Sequence, residues 1–201
     1  MNLLKKWTIP NALPYILIVS AIVGLFGAFS LSYDQIKIIQ NPNYKPICDL
    51  NPIVSCGNVM QSKEGSALGI PNPYIGLATF GSLLTIGVAI LAGATFKRWF
   101  WIGLEFGTIL GIGFVHWLFF ESVYRINALC PYCMSIWVIT IITFVYVTFY
   151  NIDSGFIKIT KKCQPFYQFL RRHHLEIVII WLLLIAMLIL KHFWYFFGKY
   201  I

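Results

Sequence analysis

The chain has 201 residues, of which 59% are hydrophobic and 11% are charged, and its net charge is +8. Its mean hydropathy of +0.76 excludes an ordinary soluble globular domain. The basic residues do not form a patch with interleaved aromatic residues, which excludes the usual nucleic-acid-binding surface. They lie between long apolar stretches instead, as is typical of topology signals in membrane proteins.

Three uncharged stretches are long enough to cross the ~30 Å hydrocarbon core of a bilayer. They are Trp7–Tyr33, Gly65–Phe96 and Ile126–Ile152. The first is much longer than the apolar region of a secretory signal, about 7 to 15 residues, so we expect it to be retained as a span. A further span over about Trp99–Phe120, third in chain order, is interrupted only by Glu105.

The last predicted span is the shortest. Its uncharged run, Ile177–Leu190, covers only about 21 Å as a helix. Lys191 can extend its amine to the interface, and Trp194 and Tyr195 are typical of the aromatic belt at a membrane surface. These flanks extend the span to Leu175–Phe197. The sequence therefore predicts an all-α polytopic membrane protein with five transmembrane helices.

The distribution of basic residues predicts the orientation. They concentrate in the amino-terminal tail and in the second-to-third and fourth-to-fifth connections, as Lys5, Lys6, Lys97, Arg98, Lys158, Lys161, Lys162, Arg171 and Arg172. The positive-inside rule places these segments in the cytoplasm and the loop 34–72 outside. We accordingly divide the chain into a bundle, residues 1–150, a basic cytoplasmic connection, 151–174, and a fifth helix with a short outer tail, 175–201.

Four of the five cysteines fall on the predicted outer face. Cys48 and Cys56 lie in the outer loop, whereas Cys130 and Cys133 begin the fourth span from the same side. Cys163 alone is predicted to be cytoplasmic, as a free thiol. Because disulfides form and persist outside the cytoplasm, this distribution favours thiol-disulfide chemistry.

The Cys130-Pro131-Tyr132-Cys133 motif is predicted to begin a helix, since proline is favoured in the first helical turn. A helix amino terminus favours a thiolate on its first cysteine, and Cys133 lies about one turn deeper in the bundle. The seven residues between Cys48 and Cys56 suit a mobile disulfide on a loop. Together the two pairs permit a relay that passes a disulfide between the outer loop and the membrane.

Other interpretations of these residues stay open. The four cysteines are also compatible with a structural zinc site or with two inert disulfides. A transporter with incidental cysteines would have to use the ionisable residues in or near the spans. We expect instead that Glu105 and His116 are satisfied inside the bundle, and that Glu121 and Arg125 form an exposed pair four residues apart.

The order of these features resembles the prokaryotic members of the vitamin K epoxide reductase family over about residues 11–150. The resemblance is carried by the Cys-Asp-x6-Cys loop of Cys48–Cys56, Ser62 six residues later, the Gly69-Ile70-Pro71-Asn72 approach to the second span, and the Cys130–Cys133 motif. Bacterial members commonly add a fifth span, as predicted here.

This resemblance implies a membrane enzyme with a four-helix bundle around a quinone, ubiquinone or menaquinone, and no metal. It implies that Cys133 reacts at the quinone with Cys130 as its disulfide partner. Cys56 and Cys48 would carry electrons inward from an outside thiol protein, which supports disulfide bond formation at a bacterial plasma membrane.

Three further residues are assigned to the quinone site by the resemblance. Ser62 and Asn72 stand where family members place loop and quinone-contacting polar groups, although each also suits a local role in a turn. Trp137 stands where the animal enzymes have a tyrosine near the quinone, so vitamin K epoxide chemistry and anticoagulant sensitivity are not expected.

The resemblance also indicates the kind of thiol partner to expect and the class of protein that is the nearest alternative. Many bacterial members carry a fused thioredoxin-like domain, and this sequence ends shortly after its last span, so we expect a separate, DsbA-like thioredoxin-fold partner. The alternative is a quinone reductase of the DsbB type, which performs the same overall reaction. That type carries its Cys-x-x-Cys motif in the first outer loop, the reverse of the order seen here.

Overall fold

A computed structural model of the protein describes residues 9–41 and 43–198. These residues form eight α-helices and no strand: α1 (Ile9–Gln40), α2 (Cys56–Gln61), α3 (Asn72–Leu91), α4 (Arg98–Phe120), α5 (Pro131–Asp153), α6 (Gln164–Arg172), α7 (His174–His192) and α8 (Trp194–Phe197). Five of them, α1, α3, α4, α5 and α7, are long and apolar enough to cross a membrane. The predicted all-α polytopic fold class is confirmed.

Helix α1 is the centre of the bundle and packs along both α3 and α5, while α4 packs on α5. One apolar core joins these four helices through Leu17 of α1, Leu83 of α3, Trp101 of α4 and Val147 of α5. Helices α3 and α4 scarcely contact each other within the described residues. A gap therefore lies between them, with α1 and α5 behind it.

The first and third spans differ in length from the predicted stretches. Helix α1 continues from Tyr33 to Gln40 before it ends, whereas Trp7, the predicted start, lies outside the described residues. Helix α4 continues through a π-helical turn, Glu121–Ile126, which ends at Asn127 in the left-handed conformation with φ 55°. The third span is thus several residues longer than Trp99–Phe120.

The prediction of one continuous fifth helix over Leu175–Phe197 is wrong at its end. Helix α7 ends at His192, and α8 begins only at Trp194. Phe193, between them, has φ −93° and ψ 16° and is completely buried in the bundle. A fully buried phenylalanine contributes about 2 kcal/mol, which favours the turn that brings this ring into the bundle.

The ionisable residues inside α4 are satisfied, as predicted. Glu105 is buried and accepts hydrogen bonds from the Thr148 hydroxyl at 2.6 Å and from the Asn151 side-chain amide at 2.8 Å. The indole N–H of Trp181 donates to Nε2 of His116 at 3.0 Å. These contacts favour a structural role for both residues over an ion path.

The predicted exposed pair of Glu121 and Arg125 is half wrong. The two side chains form an ion pair at 3.3 Å, but the Glu121 side chain is only 4% exposed whereas that of Arg125 is 66% exposed. Glu121 begins the π-helical turn. A π-helix has more residues per turn than an α-helix, so its side chains point in directions that a regular helix would not predict. The four-residue spacing of the sequence predicts the pairing but not this burial.

Candidate redox site

A short backbone bridge sets the relative position of the two cysteine pairs. The Leu129 N–H donates to the Ile53 carbonyl at 2.7 Å, and the Ser55 N–H donates to the Leu129 carbonyl at 3.0 Å. Cys56 directly follows Ser55, and Cys130 directly follows Leu129. The bridge therefore brings these two cysteines side by side.

The turn that leads into this bridge is held by Asn51. Its side-chain oxygen accepts hydrogen bonds from the backbone N–H groups of Ile53 at 2.9 Å and of Val54 at 2.7 Å. Asparagine favours such turns because its side chain can replace a backbone acceptor. The Asn51-Pro52 pair was a sequence signal for this turn, but it did not indicate that the turn would align the cysteines.

Two further polar side chains fix the start of α2 behind Cys56. Asp49 accepts hydrogen bonds from the Gly57 N–H at 2.9 Å and from the Ser55 hydroxyl at 3.0 Å. Ser55 in turn caps α2 by accepting from the Asn58 N–H at 3.1 Å. Asp49 and Ser55 are site residues that the sequence analysis missed; a serine just before a short helix is the signal of an N-cap.

The sulfur atoms form a continuous series from the loop to the bundle. Cys48 and Cys56 are joined in a disulfide. The Cys130 sulfur lies 3.3 Å from that of Cys56 and accepts the Cys133 N–H at 3.5 Å. The four predicted cysteines are thus brought together, whereas Cys163 is an exposed free thiol on another part of the chain.

Cys130 is the N-cap of α5, with Pro131 in the first turn as the sequence predicts. The pKa of its thiol is lowered, first by the hydrogen bond from the Cys133 side chain and further by the backbone N–H groups of Cys133 and Tyr132, although burial acts in the opposite direction. A lowered pKa favours the thiolate, which is the nucleophile in disulfide exchange.

A cavity of about 810 Å³ fills the gap between α3 and α4. Cys133, Trp137, Ser62 and Asn72 all line it. Its size and its mostly apolar lining are those of a site for a small organic molecule. Lining residues near the middle of the helices, such as Ser82 and Leu110, are exposed, so the cavity opens to the lateral surface of the bundle.

One wall of this cavity consists of glycine. Gly103, Gly107 and Gly111 line it at four-residue spacing, and therefore on one face of α4. A Cβ atom at Gly103 or Gly107 would meet nothing within 4 Å, and one at Gly111 would meet only the Thr140 methyl group at 3.5 Å. The absence of side chains at these positions widens the cavity on the α4 side, and the regular spacing was the overlooked sequence signal.

The polar side chains around the cavity differ in whether they already have a hydrogen-bond partner. The Thr143 hydroxyl is buried and has no hydrogen-bond partner. Ser62 donates to the Val59 carbonyl at 2.7 Å, and the Asn72 amide donates to the Glu64 carbonyl at 2.6 Å. These two contacts support the turn roles of Ser62 and Asn72, whereas Thr143 retains a free donor for a ligand.

Trp137 contributes a large apolar surface to the same cavity. Its indole is almost completely buried and packs edge-on against Phe119 with ring centroids 5.4 Å apart.

For the zinc interpretation, the described residues contain no group of three or more His, Cys, Asp or Glu side chains arranged to hold a metal ion. The arrangement brings two cysteine pairs into contact beside an apolar cavity.

Comparison with families of known proteins matches residues 15–148 to the vitamin K epoxide reductase family. No curated protein matches the chain significantly. The matched segment begins within α1, ends within α5 and contains all four clustered cysteines. Because this match covers two thirds of the chain, the protein belongs to the vitamin K epoxide reductase family of membrane oxidoreductases.

Proposed function

We propose that the protein oxidises an extracytoplasmic thioredoxin-fold dithiol protein and transfers two electrons to a membrane quinone. The electrons pass from Cys48 and Cys56 to Cys130 and Cys133. The single observation that carries this proposal is the 3.3 Å contact between the sulfurs of Cys56 and Cys130, with Cys133 at the wall of the cavity. This series joins the outer loop to a ligand cavity without a gap.

The first exchange takes place at Cys48. Cys48 is 8% exposed whereas Cys56 is completely buried, so a partner thiolate reaches the Cys48 sulfur first. Its attack forms a partner-Cys48 disulfide and releases Cys56 as a thiolate; the second partner thiol then displaces Cys48 and leaves the partner oxidised. Ile47 and Leu50, 88% and 72% exposed, offer this partner an apolar contact beside the reacting sulfur.

The second exchange transfers the disulfide from the inner pair, Cys130 and Cys133, to the loop pair, Cys48 and Cys56. The Cys56 thiolate attacks Cys130 in a Cys130-Cys133 disulfide, which releases Cys133 as a thiolate. Cys48 then attacks Cys56, restores the loop disulfide and releases Cys130 as a thiol. Two electrons have now reached the inner pair, which is the arrangement of disulfide and thiols in the structure.

The cavity fits a quinone. Its lining is mostly apolar, Trp137 offers an aromatic surface, and the unpartnered Thr143 hydroxyl is a donor that a carbonyl oxygen would satisfy. A bound quinone supplies an acceptor for two electrons and two protons, which regenerates the Cys130-Cys133 disulfide. Ubiquinone and menaquinone both suit such a lining.

The membrane orientation is part of the proposal. Positive-inside asymmetry places the cysteine cluster on the outer, periplasmic side of a bacterial plasma membrane and Cys163 in the cytoplasm. A membrane-impermeant maleimide should therefore label reduced Cys48 in intact cells, while Cys163 reacts only after permeabilisation. Labelling of Cys163 in intact cells would reverse the orientation.

The activity is tested with purified protein and a reduced thioredoxin-fold dithiol protein under anaerobic conditions. Added quinone should be converted to quinol in proportion to the partner disulfide formed, and Cys133→Ser should abolish quinol formation. The Cys163→Ser variant is the matched control and should behave as wild type. Absence of quinol with both ubiquinone and menaquinone analogues, from protein that still exchanges disulfides, would overturn the assignment of the acceptor.

A further inference from the structure

The end of α7 is built into the redox site, although it lies far along the chain from the cysteines. Phe193 is the largest completely buried side chain in the described part of the chain. It belongs to the same apolar cluster as Ile53, Leu129 and Trp137. Ile53 and Leu129 are the residues of the backbone bridge that aligns Cys56 with Cys130.

A second contact comes from the neighbouring residue. Nε2 of His192 donates to the side-chain oxygen of Asn127 at 2.8 Å. Asn127 is the single non-glycine residue with positive φ among the described residues, and it ends the π-helical turn three residues before Cys130. The hydrogen bond therefore acts on the point where the chain changes direction toward the Cys-x-x-Cys motif.

The segment between these contacts has few other attachments. Ala128 donates its N–H to the Ser122 carbonyl at 3.1 Å and accepts the Ser122 hydroxyl, while Leu129 is held by the bridge. Within this segment, residues 127–130, Ala128 is thus bound to the π-helical turn and Leu129 is bound to the outer loop. The fifth span contacts it at its outer end, where His192 bonds Asn127 and where Ile189 and Phe193 share the apolar cluster of Leu129.

We propose that His192 and Phe193 are positioning residues that hold Cys130 against Cys56 during disulfide exchange. This inference rests on the proposed function, and it gives the fifth span a role in the reaction although α7 lies outside the matched segment 15–148. Exchange needs three sulfurs in line, and a displacement of about 1 Å lowers the rate of a preorganised reaction by as much as ~100-fold.

The test isolates the inner exchange from both partner and quinone. In a Cys133→Ser, Cys163→Ser parent, Cys130 is the single free thiol beside the Cys48-Cys56 disulfide. Attack of the Cys130 thiolate on Cys56 forms the Cys56-Cys130 bond, breaks the Cys48-Cys56 bond and releases Cys48, with the proton passing from Cys130 to Cys48. No oxidant is consumed. The protein is reduced and its loop pair is reoxidised. After acid quenching at successive times, the one free thiol is alkylated, and peptide mass mapping shows whether it is Cys130, before exchange, or Cys48, after exchange.

In this parent, Phe193→Ala should slow the release of Cys48 at least ~10-fold, and Phe193→Leu should restore most of the rate because it refills the space. His192→Ala should slow it by about 3-fold, since it removes one exposed hydrogen bond to the segment before Cys130. His174→Ala is the matched control, because His174 lies at the other end of α7 and bonds the Arg171 carbonyl at 2.8 Å. Thermal unfolding is measured for every variant.

The outcomes separate the two proposals. If the parent releases no Cys48, the relay of the proposed function is wrong. If the parent releases Cys48 and His192→Ala does so at the parental rate, the positioning role of His192 is wrong, and the same holds for Phe193 if folded Phe193→Ala keeps that rate with only a lower unfolding temperature. Because the His192–Asn127 contact is exposed, we expect His192→Ala to fold even where Phe193→Ala does not.

Discussion

The two ends of the helix bundle are held together by different kinds of contact. At the end opposite the cysteines, charged and amide side chains bind each other: Glu105 contacts Thr148 and Asn151, and Arg171 forms a 2.9 Å ion pair with Asp153. At the redox end, side-chain pairs such as His192 with Asn127 also occur, but the cysteines themselves are aligned chiefly by backbone hydrogen bonds and by polar side chains that bind backbone groups.

This difference indicates that one end of the bundle mainly contributes stability, whereas the other end holds the reacting groups. Side-chain networks at the opposite end are permanently occupied, so they contribute stability and offer no group to a reactant. At the redox end the backbone holds the cysteines, which leaves their sulfurs free to exchange bonds. Substitutions at the two ends should therefore separate: one set changes activity, the other changes the free energy of unfolding.

The largest effect is expected at Cys56. Cys56→Ser removes the sulfur that lies between Cys48 and Cys130, so quinone-dependent oxidation of the partner should fall by at least ~1,000-fold, toward the uncatalysed level. If the partner is supplied in its oxidised form, the free Cys48 thiolate should attack the partner disulfide and form a mixed disulfide, which accumulates because Cys56 is no longer present to displace the partner. Non-reducing gels after acid trapping measure this species.

The companion variant Cys133→Ser should fail at a different step. Its loop pair should still exchange with the partner, and a Cys56-Cys130 bond should accumulate because the inner acceptor thiol is absent. Normal turnover of Cys56→Ser would make the loop pair a structural disulfide and would remove the contrast between the two ends.

A large effect on stability is expected at the opposite end. Glu105→Ala removes the buried carboxylate that accepts from the Thr148 hydroxyl and the Asn151 amide. Each donor retains a backbone carbonyl, of Phe144 and of Trp101, so the loss should be about 1 to 3 kcal/mol in the free energy of unfolding. The turnover of the folded fraction should stay within about twofold of wild type, because the substitution touches neither the cysteines nor the glycine wall. Denaturant titration in detergent, paired with activity per folded protein, measures both quantities.

Glu105→Gln is the matched variant at this position. It keeps the volume and one acceptor oxygen, so its loss of stability should be smaller than that of Glu105→Ala. Loss of turnover in a fully folded Glu105 variant would contradict the separation of the two ends, because it would connect this network to the redox chemistry.

A smaller effect, on ligand binding, is expected at the glycine wall. Gly107→Leu places a side chain into open cavity space and should raise the KM for quinone about 10-fold, roughly 1.4 kcal/mol, without slowing exchange between partner and loop. Gly113→Leu is the matched control, because Gly113 also meets nothing within 4 Å but does not line the cavity. Equal KM values for the two variants would place the quinone elsewhere.

Features of this structure that depend on local sequence are predictable, whereas those that depend on contacts between distant residues are not. Uncharged runs of sufficient length predict the spans, and the positions of Cys48, Cys56, Cys130 and Cys133 predict a common face, because both are properties of local sequence. The break in the fifth helix was not predictable, since it results from burial of Phe193 in a core made by distant residues.

The same reasoning explains what was missed at the site. The burial of Glu121 and the alignment of Ile53 with Leu129 depend on a π-helical turn and a long-range bridge, which no local pattern specifies. The cavity wall is different, because the four-residue spacing of its glycines is visible in the sequence. That these glycines line a cavity follows only from the separation of α3 and α4 in the structure.

The smallest expected effect is a shift in the pH dependence of the reactivity of Cys130. Measuring it compares the Cys130 thiol with an ordinary cysteine thiol. The pKa of Cys130 is lowered, chiefly by the hydrogen bond from Cys133. A lowered pKa means that the thiolate fraction reaches one half at a lower pH than for an unperturbed cysteine. Alkylation of Cys130 should therefore accelerate at lower pH in the folded protein than in denaturant.

Two variants test the physical cause of that shift. In a Cys48→Ser, Cys56→Ser, Cys163→Ser background, Cys133→Ser leaves a hydroxyl donor beside Cys130 and Cys133→Ala removes it; Cys130 is then the single thiol to be alkylated. Because a donor to the thiolate stabilises the charged form, the alanine variant should have the higher midpoint in a plot of iodoacetamide alkylation rate against pH. Burial slows both reactions alike and leaves the midpoints comparable. Identical midpoints would assign the lowered pKa to the helix amino terminus, whose N–H groups are present in both variants.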